Sequence, residues 1–258
     1  MSAVDLKVES VGDGPPVVVL HGLFGAGRNW ITVARALASR YRFHLVDLRN
    51  HGGSPHTQTM TYSDMVADVR RLLTRLGLDD FTLVGHSMGG KAAMTLALTE
   101  PRGLRRLVSV DIAPVSYADG FINIIAALRA LDLQTIQRRA DADRALASAI
   151  PETAVRLFIL QNLLFEQGQP RWRLNLDILK RAMPTILGPL PAAPDAHYAG
   201  PAWFIRGALS DRVVSEHLPL IAHWFPHYHL ETIDGGGHWP HAEAPAAFLA
   251  AFSRALDA

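Results

Sequence analysis

Apolar positions follow two rhythms along the first half of the chain. Residues 17–20, 43–46, 81–84 and 107–110 are short runs rich in valine, leucine and phenylalanine, the pattern of buried strands. Between them the apolar residues spread to spacings of three and four. Trp30, Val33, Ala34 and Leu37 predict one helix. Tyr62, Met65, Val66, Val69, Leu72, Leu73 and Leu76 form a single stripe on a second helix that stops at Gly77. Residues 91–98 predict a third helix, and residues 4–9 an edge strand before the turn Gly12-Asp13-Gly14-Pro15. This alternation predicts a mostly parallel sheet with helices on both faces, an α/β fold.

The rhythm breaks at residues 117–198, where only helical patterns are visible, over 121–131, 135–147, 151–165 and 174–183. It resumes with a strand at 201–205, a helix at 215–223, a strand at 227–233 and a last helix at 245–256. The expected organisation is a core in two parts, 1–116 and 199–258, with a helical cap at 117–198 over the carboxyl edge of the sheet. The Ala/Pro-rich residues 189–194 return the chain to the core. No internal repeat or low-complexity tract interrupts the pattern.

One motif gains its meaning from this frame. Gly85-His86-Ser87-Met88-Gly89 lies between a predicted strand and a predicted helix, the setting of a nucleophile elbow. A serine hydroxyl needs a base and oxyanion donors to act as a nucleophile. Gly235-Gly236-Gly237-His238 follows the last predicted strand, so His238 can be presented to Ser87 as general base. The Gly-rich turn His21-Gly22-Leu23-Phe24-Gly25 follows an early strand, where a second oxyanion donor is expected. The backbone N–H groups of Leu23 and Met88 are the candidates, with Phe24 as alternative. His21, Phe24 and Trp239 are candidate substrate contacts. Two carboxylates compete to orient the histidine, Asp111 after one core strand and Asp211 after the next, and spacing does not choose between them.

Composition narrows the classes. The chain has 258 residues, is 49% hydrophobic and has a net charge of +1. It is long enough for one large α/β domain and gives no electrostatic reason to expect nucleic acid. It has no cysteine, which excludes disulfides and thiolate chemistry. No apolar run nears the about 20 residues of a membrane span, and no secretory signal is visible at the start. The expected protein is cytoplasmic, free of membrane and nucleic-acid partners, without cofactor or metal, and a monomer or weak homodimer. His223, His227 and His229 straddle Pro226, so a metal site is not expected there. His86 is read as packing beside the elbow, and Asp47, Arg49 and Asn50 as fixing a loop. Phe158, Leu160, Leu164 and Phe165 are read as cap core.

Five segments together carry a resemblance. They are His21-Gly22-Leu23-Phe24-Gly25, Asp47-Leu48-Arg49-Asn50-His51-Gly52, Gly85 to Ala92, Asp111-Ile112-Ala113-Pro114, and Gly237-His238-Trp239 with His241-Ala242-Glu243. The sequence resembles the α/β-hydrolase superfamily, in the branch of small bacterial esterases and thioesterases related to mitochondrial abhydrolase-domain proteins. The likeness spans nearly the whole chain and is weakest in the cap. It implies an α/β-hydrolase fold, with Asp111 as the acid and Ser210 hydrogen-bonding near the histidine. Asp211 is a departure from that branch, whose members often carry no acid there.

The expected function is cleavage of carboxylic esters or thioesters, of short to medium acyl chains and with acyl-CoA in scope, through an acyl-enzyme on Ser87. C–C bond hydrolysis or perhydrolysis could use the same triad, and a receptor of the same fold would use none of it. Halide release is disfavoured, because the elbow carries serine where that chemistry needs aspartate.

Overall fold

The structure, a computed structural model, describes residues 3–118 and 120–258. Met1, Ser2 and Asp119 fall inside the expected core and cap segments and lie outside the described residues. In chain order the first core elements are β1 (Val8–Val11), β2 (Pro16–Leu20), α1 (Ile31–Leu37), β3 (Arg42–Val46), α2 (Tyr62–Leu76), β4 (Phe81–His86), α3 (Met88–Thr99) and β5 (Leu104–Val110). The chain then leaves the sheet through α4 (Ile122–Ala130), α5 (Arg139–Leu146), α6 (Thr153–Leu160), β6 (Leu163–Glu166), β7 (Gln169–Trp172) and α7 (Leu176–Leu187). It returns with β8 (Ala202–Gly207), α8 (Leu218–Trp224), β9 (Tyr228–Ile233), α9 (Pro240–Glu243) and α10 (Pro245–Asp257).

The main sheet has seven strands in the order β1-β3-β2-β4-β5-β8-β9. Only β1 runs antiparallel to its neighbour; the other pairings are parallel. Alternate residues of one strand feed opposite faces. Val17 and Val19 pack with α1 and α10, whereas Val18 and Leu20 pack with α2 and α3. Helix α2 starts at a capping box, in which the Asp64 N–H donates to Thr61 Oγ1 at 3.1 Å and the Thr61 N–H to Asp64 Oδ2 at 3.0 Å. It ends at Gly77 with φ 66°, a left-handed cap that glycine adopts without strain.

Several expected boundaries move. The first strand is Val8–Val11 rather than 4–9, because the Val4 N–H turns away from the sheet to Asp68 Oδ1 at 2.7 Å. Thr135 sits in a separate 3-10 turn, and the helix expected from there begins at Arg139. The helix expected to end at 183 runs on through Pro184 to Leu187. The largest correction concerns the segment read as wholly helical. Residues 163–166 and 169–172 form an antiparallel hairpin instead of continuing a helix from 151. Its two-residue turn, Gln167 and Gly168, has φ 51° and 81°, the primed geometry that suits strand twist. A short apolar run such as Leu163-Leu164-Phe165 fits helix or strand equally by periodicity, and the turn decides.

The out-of-sheet segment is held to the core by polar contacts at its ends. The last carbonyls of α7 lack intrahelical partners. Tyr62 Oη donates to Ile186 O at 2.6 Å, the Tyr117 N–H to Leu187 O at 2.9 Å, and Lys91 Nζ to Gly188 O. Lys91 also donates to Val115 O at 3.0 Å, so one buried ammonium grips both ends of the segment. Burial pushes Lys91 down to about 8, while the carbonyl end of α7 favours its charged form.

A second buried cation organises the core. Arg49 Nε and Nη2 donate to Asp68 Oδ2 and Oδ1 at 2.6 and 2.7 Å, and both side chains are buried. Truncating one partner of such a pair strands the other charge in the interior. Asp68→Ala should therefore lower unfolding free energy by about 3–5 kcal/mol in a denaturant titration. A loss below about 1 kcal/mol would mean that Asp64, whose carboxylate lies 3.4 Å from Arg49 Nη1, takes over the pairing.

Candidate active site

The carboxyl ends of β2, β4, β5 and β8 converge on one edge, and the expected site residues sit on the loops that leave it. Strand β4 runs straight into α3 through Ser87, which has φ 52° and ψ −119°. This sparsely populated conformation, held by packed elements on both sides, lifts the side chain out of the turn. Ser87 Oγ lies 3.1 Å from His238 Nε2, and His238 Nδ1 lies 2.8 Å from Asp111 Oδ2. A carboxylate only accepts, so Nδ1 carries the proton and Nε2 is free to take one from the serine.

Asp111 is fully buried and satisfied by three donors. Its Oδ1 accepts the Gly207 N–H at 3.0 Å, and its Oδ2 accepts Ser210 Oγ–H at 2.5 Å besides His238. Asp211 is 87% exposed and faces Arg212 at 3.3 Å, away from the histidine. The structure thus brings Asp111, Ser210, His238 and Ser87 together and leaves Asp211 outside.

The expected oxyanion loop lies against the serine. A Cβ added at Gly22 would sit 2.8 Å from His86 Nδ1 and 3.2 Å from Ser87 Cβ, so this position has room only for glycine. Among the described residues, neither the Leu23 nor the Met88 N–H has a hydrogen-bond acceptor. Met88 opens α3, whose N-terminal dipole favours negative charge. The alternative donor, Phe24, is corrected: its N–H donates to His51 Nε2 at 3.3 Å.

His21 as a substrate contact is corrected as well. It is buried, its Nδ1–H donates to Gly22 O at 2.8 Å, and its Nε2 accepts the Leu48 N–H at 3.0 Å. Both nitrogens brace loops. Phe24 is buried with its ring edge-on to Phe121. Trp239 is half-buried, lying 5.1 Å from the His238 ring and 5.7 Å from Phe158 of α6. His223 meets Pro194 O at 2.7 Å, and His229 packs on Trp203 at 4.0 Å.

Two contributors escaped the sequence reading. His86 is more than packing. Its Nε2–H donates to His238 O at 2.7 Å, which ties the elbow to the loop that carries His238. Burial, then the neighbouring His238 and His241, push its ionisation well below the ordinary histidine range, so it stays neutral. Asn162, between α6 and β6, donates to Phe24 O at 2.8 Å and pins the out-of-sheet segment to the oxyanion loop. The elbow pattern itself signals His86, whereas Asn162 carries no local sequence signal.

Comparison with known proteins places this geometry. Residues 15–245 match the family described as alpha/beta hydrolase fold. The sn-1-specific diacylglycerol lipase ABHD11 of Xenopus laevis is 42% identical over 252 residues, covering 95% of this chain and 80% of that protein. Esterase YbfF of Escherichia coli (strain K12) is 36% identical over 245 residues, covering 94% and 93%. A solved marine microorganism esterase superposes with a TM-score of 0.94 at 34% identity, over 98% of this chain and 99% of that one. The chain belongs to the α/β-hydrolase fold family. Its relatives include ABHD-related esterases and lipases.

Two expected outcomes follow from the site. Asp111→Asn should lower kcat by about 10⁴-fold, as loss of a triad acid does elsewhere, while Asp211→Asn should change it by no more than about two- to three-fold. The reverse ranking in ester kinetics would move the acid to Asp211. The second concerns His51, buried with Nδ1–H on Arg49 O at 3.0 Å and pushed down to about 3 by burial, then by His21. Unfolded, it binds a proton near 6.5. Between those values the unfolded chain binds the extra proton, so stability falls as pH drops from about 6.5 toward 3. His51→Asn should lower stability at pH 7 by about 1–3 kcal/mol. It should also make the fall between pH 6.5 and 4 shallower by on the order of 1 kcal/mol per unit. An unchanged slope in denaturant titrations would show that His51 takes its proton without unfolding.

Proposed function

We propose that this carboxylic ester hydrolase works by acyl transfer through Ser87, with His238 as general base and Asp111 as its orienting acid. The observation that carries the reading is the unbroken line from Ser87 Oγ to His238 Nε2, and from His238 Nδ1 to Asp111 Oδ2, at 3.1 and 2.8 Å. Ser87 attacks the scissile carbonyl as its proton passes to His238. The resulting imidazolium is stabilised by the buried Asp111 carboxylate. The tetrahedral oxyanion is held by the Leu23 and Met88 N–H groups. His238 then protonates the departing alcohol or thiol, and a water activated by the same histidine releases the acid. Every step uses side chains, backbone and water. Ser210 holds Asp111 in place through Oδ2, and His86 holds the His238 loop through its carbonyl.

Residues 117–198 act as the lid in this reading. Phe158 reaches Trp239 beside the base, and Asn162 anchors the lid to the oxyanion loop, so lid side chains border the acyl cleft. Short to medium acyl chains, as esters or thioesters including acyl-CoA, are the proposed substrates. The diacylglycerol lipase relatives make a longer glyceride one further substrate to try. No helix among the described residues is long and apolar enough to cross a membrane.

Ser87→Ala tests the core of the reading. It should abolish labelling by a fluorophosphonate probe and reduce kcat on p-nitrophenyl butyrate by about 10⁴-fold or more, with the circular dichroism of the wild type. Retention of a tenth of the turnover would remove Ser87 from the chemistry.

A further inference from the structure

A preformed cavity of about 360 Å³ lies in the seam between the oxyanion loop and the out-of-sheet segment. Its walls include Phe24, Arg28, Arg139, Asn162, Leu164 and Arg173, and no carboxylate. A neighbouring cavity of about 600 Å³ shares Arg28, Leu164 and Arg173, so the two form lobes of one groove. The second lobe does hold carboxylates: Glu9 lines it, and Asp47 accepts the Gly27 and Gly53 N–H groups at 2.7 Å each. Lys7, Arg28, Arg171 and Arg173 outnumber these acids in the second lobe, and the first lobe has Arg28, Arg139 and Arg173 with no acid at all.

The chain as a whole has no basic bias, with 25 Lys and Arg against 24 Asp and Glu. Some surface arginines elsewhere meet acids, as in Arg71 with Asp5 and Arg129 with Asp177, and others among the described residues, such as Arg35 and Arg181, stand singly on the open surface. Among the described residues, the Arg28 and Arg173 guanidiniums have neither ion-pair nor hydrogen-bond partners. They are nonetheless carried on pinned backbone. Arg28 lies in a 3-10 turn, Gly27–Trp30, whose Asn29 bonds Gln161 at 3.2 Å. The Arg173 N–H donates to Asn162 O at 2.9 Å, and its carbonyl accepts from His56 at 2.8 Å. Arg139 holds the far wall by donating to Leu160 O and Leu163 O at 2.9 Å each. Two guanidinium forks on opposite walls of a ready-made cavity match the oxygens of a phosphate or carboxylate. Phe24, the chain neighbour of Leu23, lines the cavity, while Ser87 and His238 do not.

We propose that this seam cavity binds an anionic group, a phosphate or a carboxylate, carried by the substrate away from its scissile carbonyl, with Arg28 and Arg173 as the principal contacts. The proposal rests on the ester-hydrolase reading for its place in catalysis, but not for binding itself. It defines a substrate class: esters or thioesters whose leaving group is phosphorylated, or whose acyl group ends in a carboxylate.

The test compares wild type with Arg28→Gln/Arg173→Gln on three substrates: p-nitrophenyl butyrate, butyryl-coenzyme A and mono-p-nitrophenyl glutarate. The ratio of kcat/KM for an anionic substrate to that for the neutral ester should fall about tenfold or more in the variant, through KM. A fall for the coenzyme A ester alone identifies phosphate, and a fall for the glutarate alone identifies carboxylate. Unchanged ratios for both, in a variant with wild-type Tm, overturn the proposal. Calorimetry on Ser87→Ala protein, with adenosine 3′,5′-bisphosphate and with glutarate, separates the two readings. One of these probes should bind, more weakly as salt rises, and lose about tenfold in affinity in the added double variant. Binding that depends on the arginines, together with a wild-type protein that cleaves none of the three esters, would sink the hydrolase reading and leave the site standing. Absence of binding by both probes at millimolar concentration, or binding indifferent to the arginines, would overturn the site.

Discussion

A desolvated carboxylate is the fixed point of this molecule. Asp111 directly follows β5 with φ 50° and has no contact with solvent. An ionised group there is tolerable only if its oxygens are fully engaged. Three different elements supply the donors: the end of β8 through Gly207, the loop after it through Ser210, and the loop after β9 through His238. The same demand that keeps the charge satisfied therefore draws the last third of the chain onto the middle of the sheet. The geometry between His238 and Ser87 is a consequence of that convergence.

The surrounding histidines belong to the same economy of buried polarity. His21, His51 and His86 each give an N–H to a backbone carbonyl, and His21 and His51 also accept a backbone N–H. Burial depresses the ionisation of all three, so they work as neutral braces rather than charges, two-ended at His21 and His51. They knit the loops after β2, β3, β4 and β9 into one rigid rim. Rigidity at this rim would keep the Leu23 and Met88 N–H groups in place before any substrate arrives, as the proposed oxyanion site requires.

The out-of-sheet segment is attached by a different logic. Its apolar side chains join the core cluster, and polar contacts fix its ends and one seam. Lys91, Tyr62 and the Tyr117 amide take the unpaired carbonyls of α7, and Asn162 and Asn175 clasp the loops after β2 and β3. Between these clasps the apolar packing is continuous with the core, and the cavities open at the surface of the seam. Along that seam runs a groove with positioned walls, and Arg28, Arg139 and Arg173 line its first lobe with no acid among them.

The sequence by itself determined the parts that depend on local pattern. Strand runs such as 81–84, the α2 stripe, the sharp turn at Ser87 and the glycine run before His238 follow from periodicity and backbone freedom, which neighbours in the chain decide. The parallel sheet followed from their alternation. The hairpin at 163–172 was hidden because Leu163-Leu164-Phe165 suits either period, and only the Gln167-Gly168 turn and its packing resolve it. The two aspartates could not be ranked by spacing, since each follows a core strand. Burial separates them: the strand order sets β5 inside the sheet and closes Asp111 from water, while Asp211 stands out in solvent beside Arg212. The roles of His86, Lys91 and Asn162, like the meeting of Arg28 with Arg173, join residues distant in the chain. Such pairings are set by how the sheet stacks its loops along one edge, and no local rule encodes them.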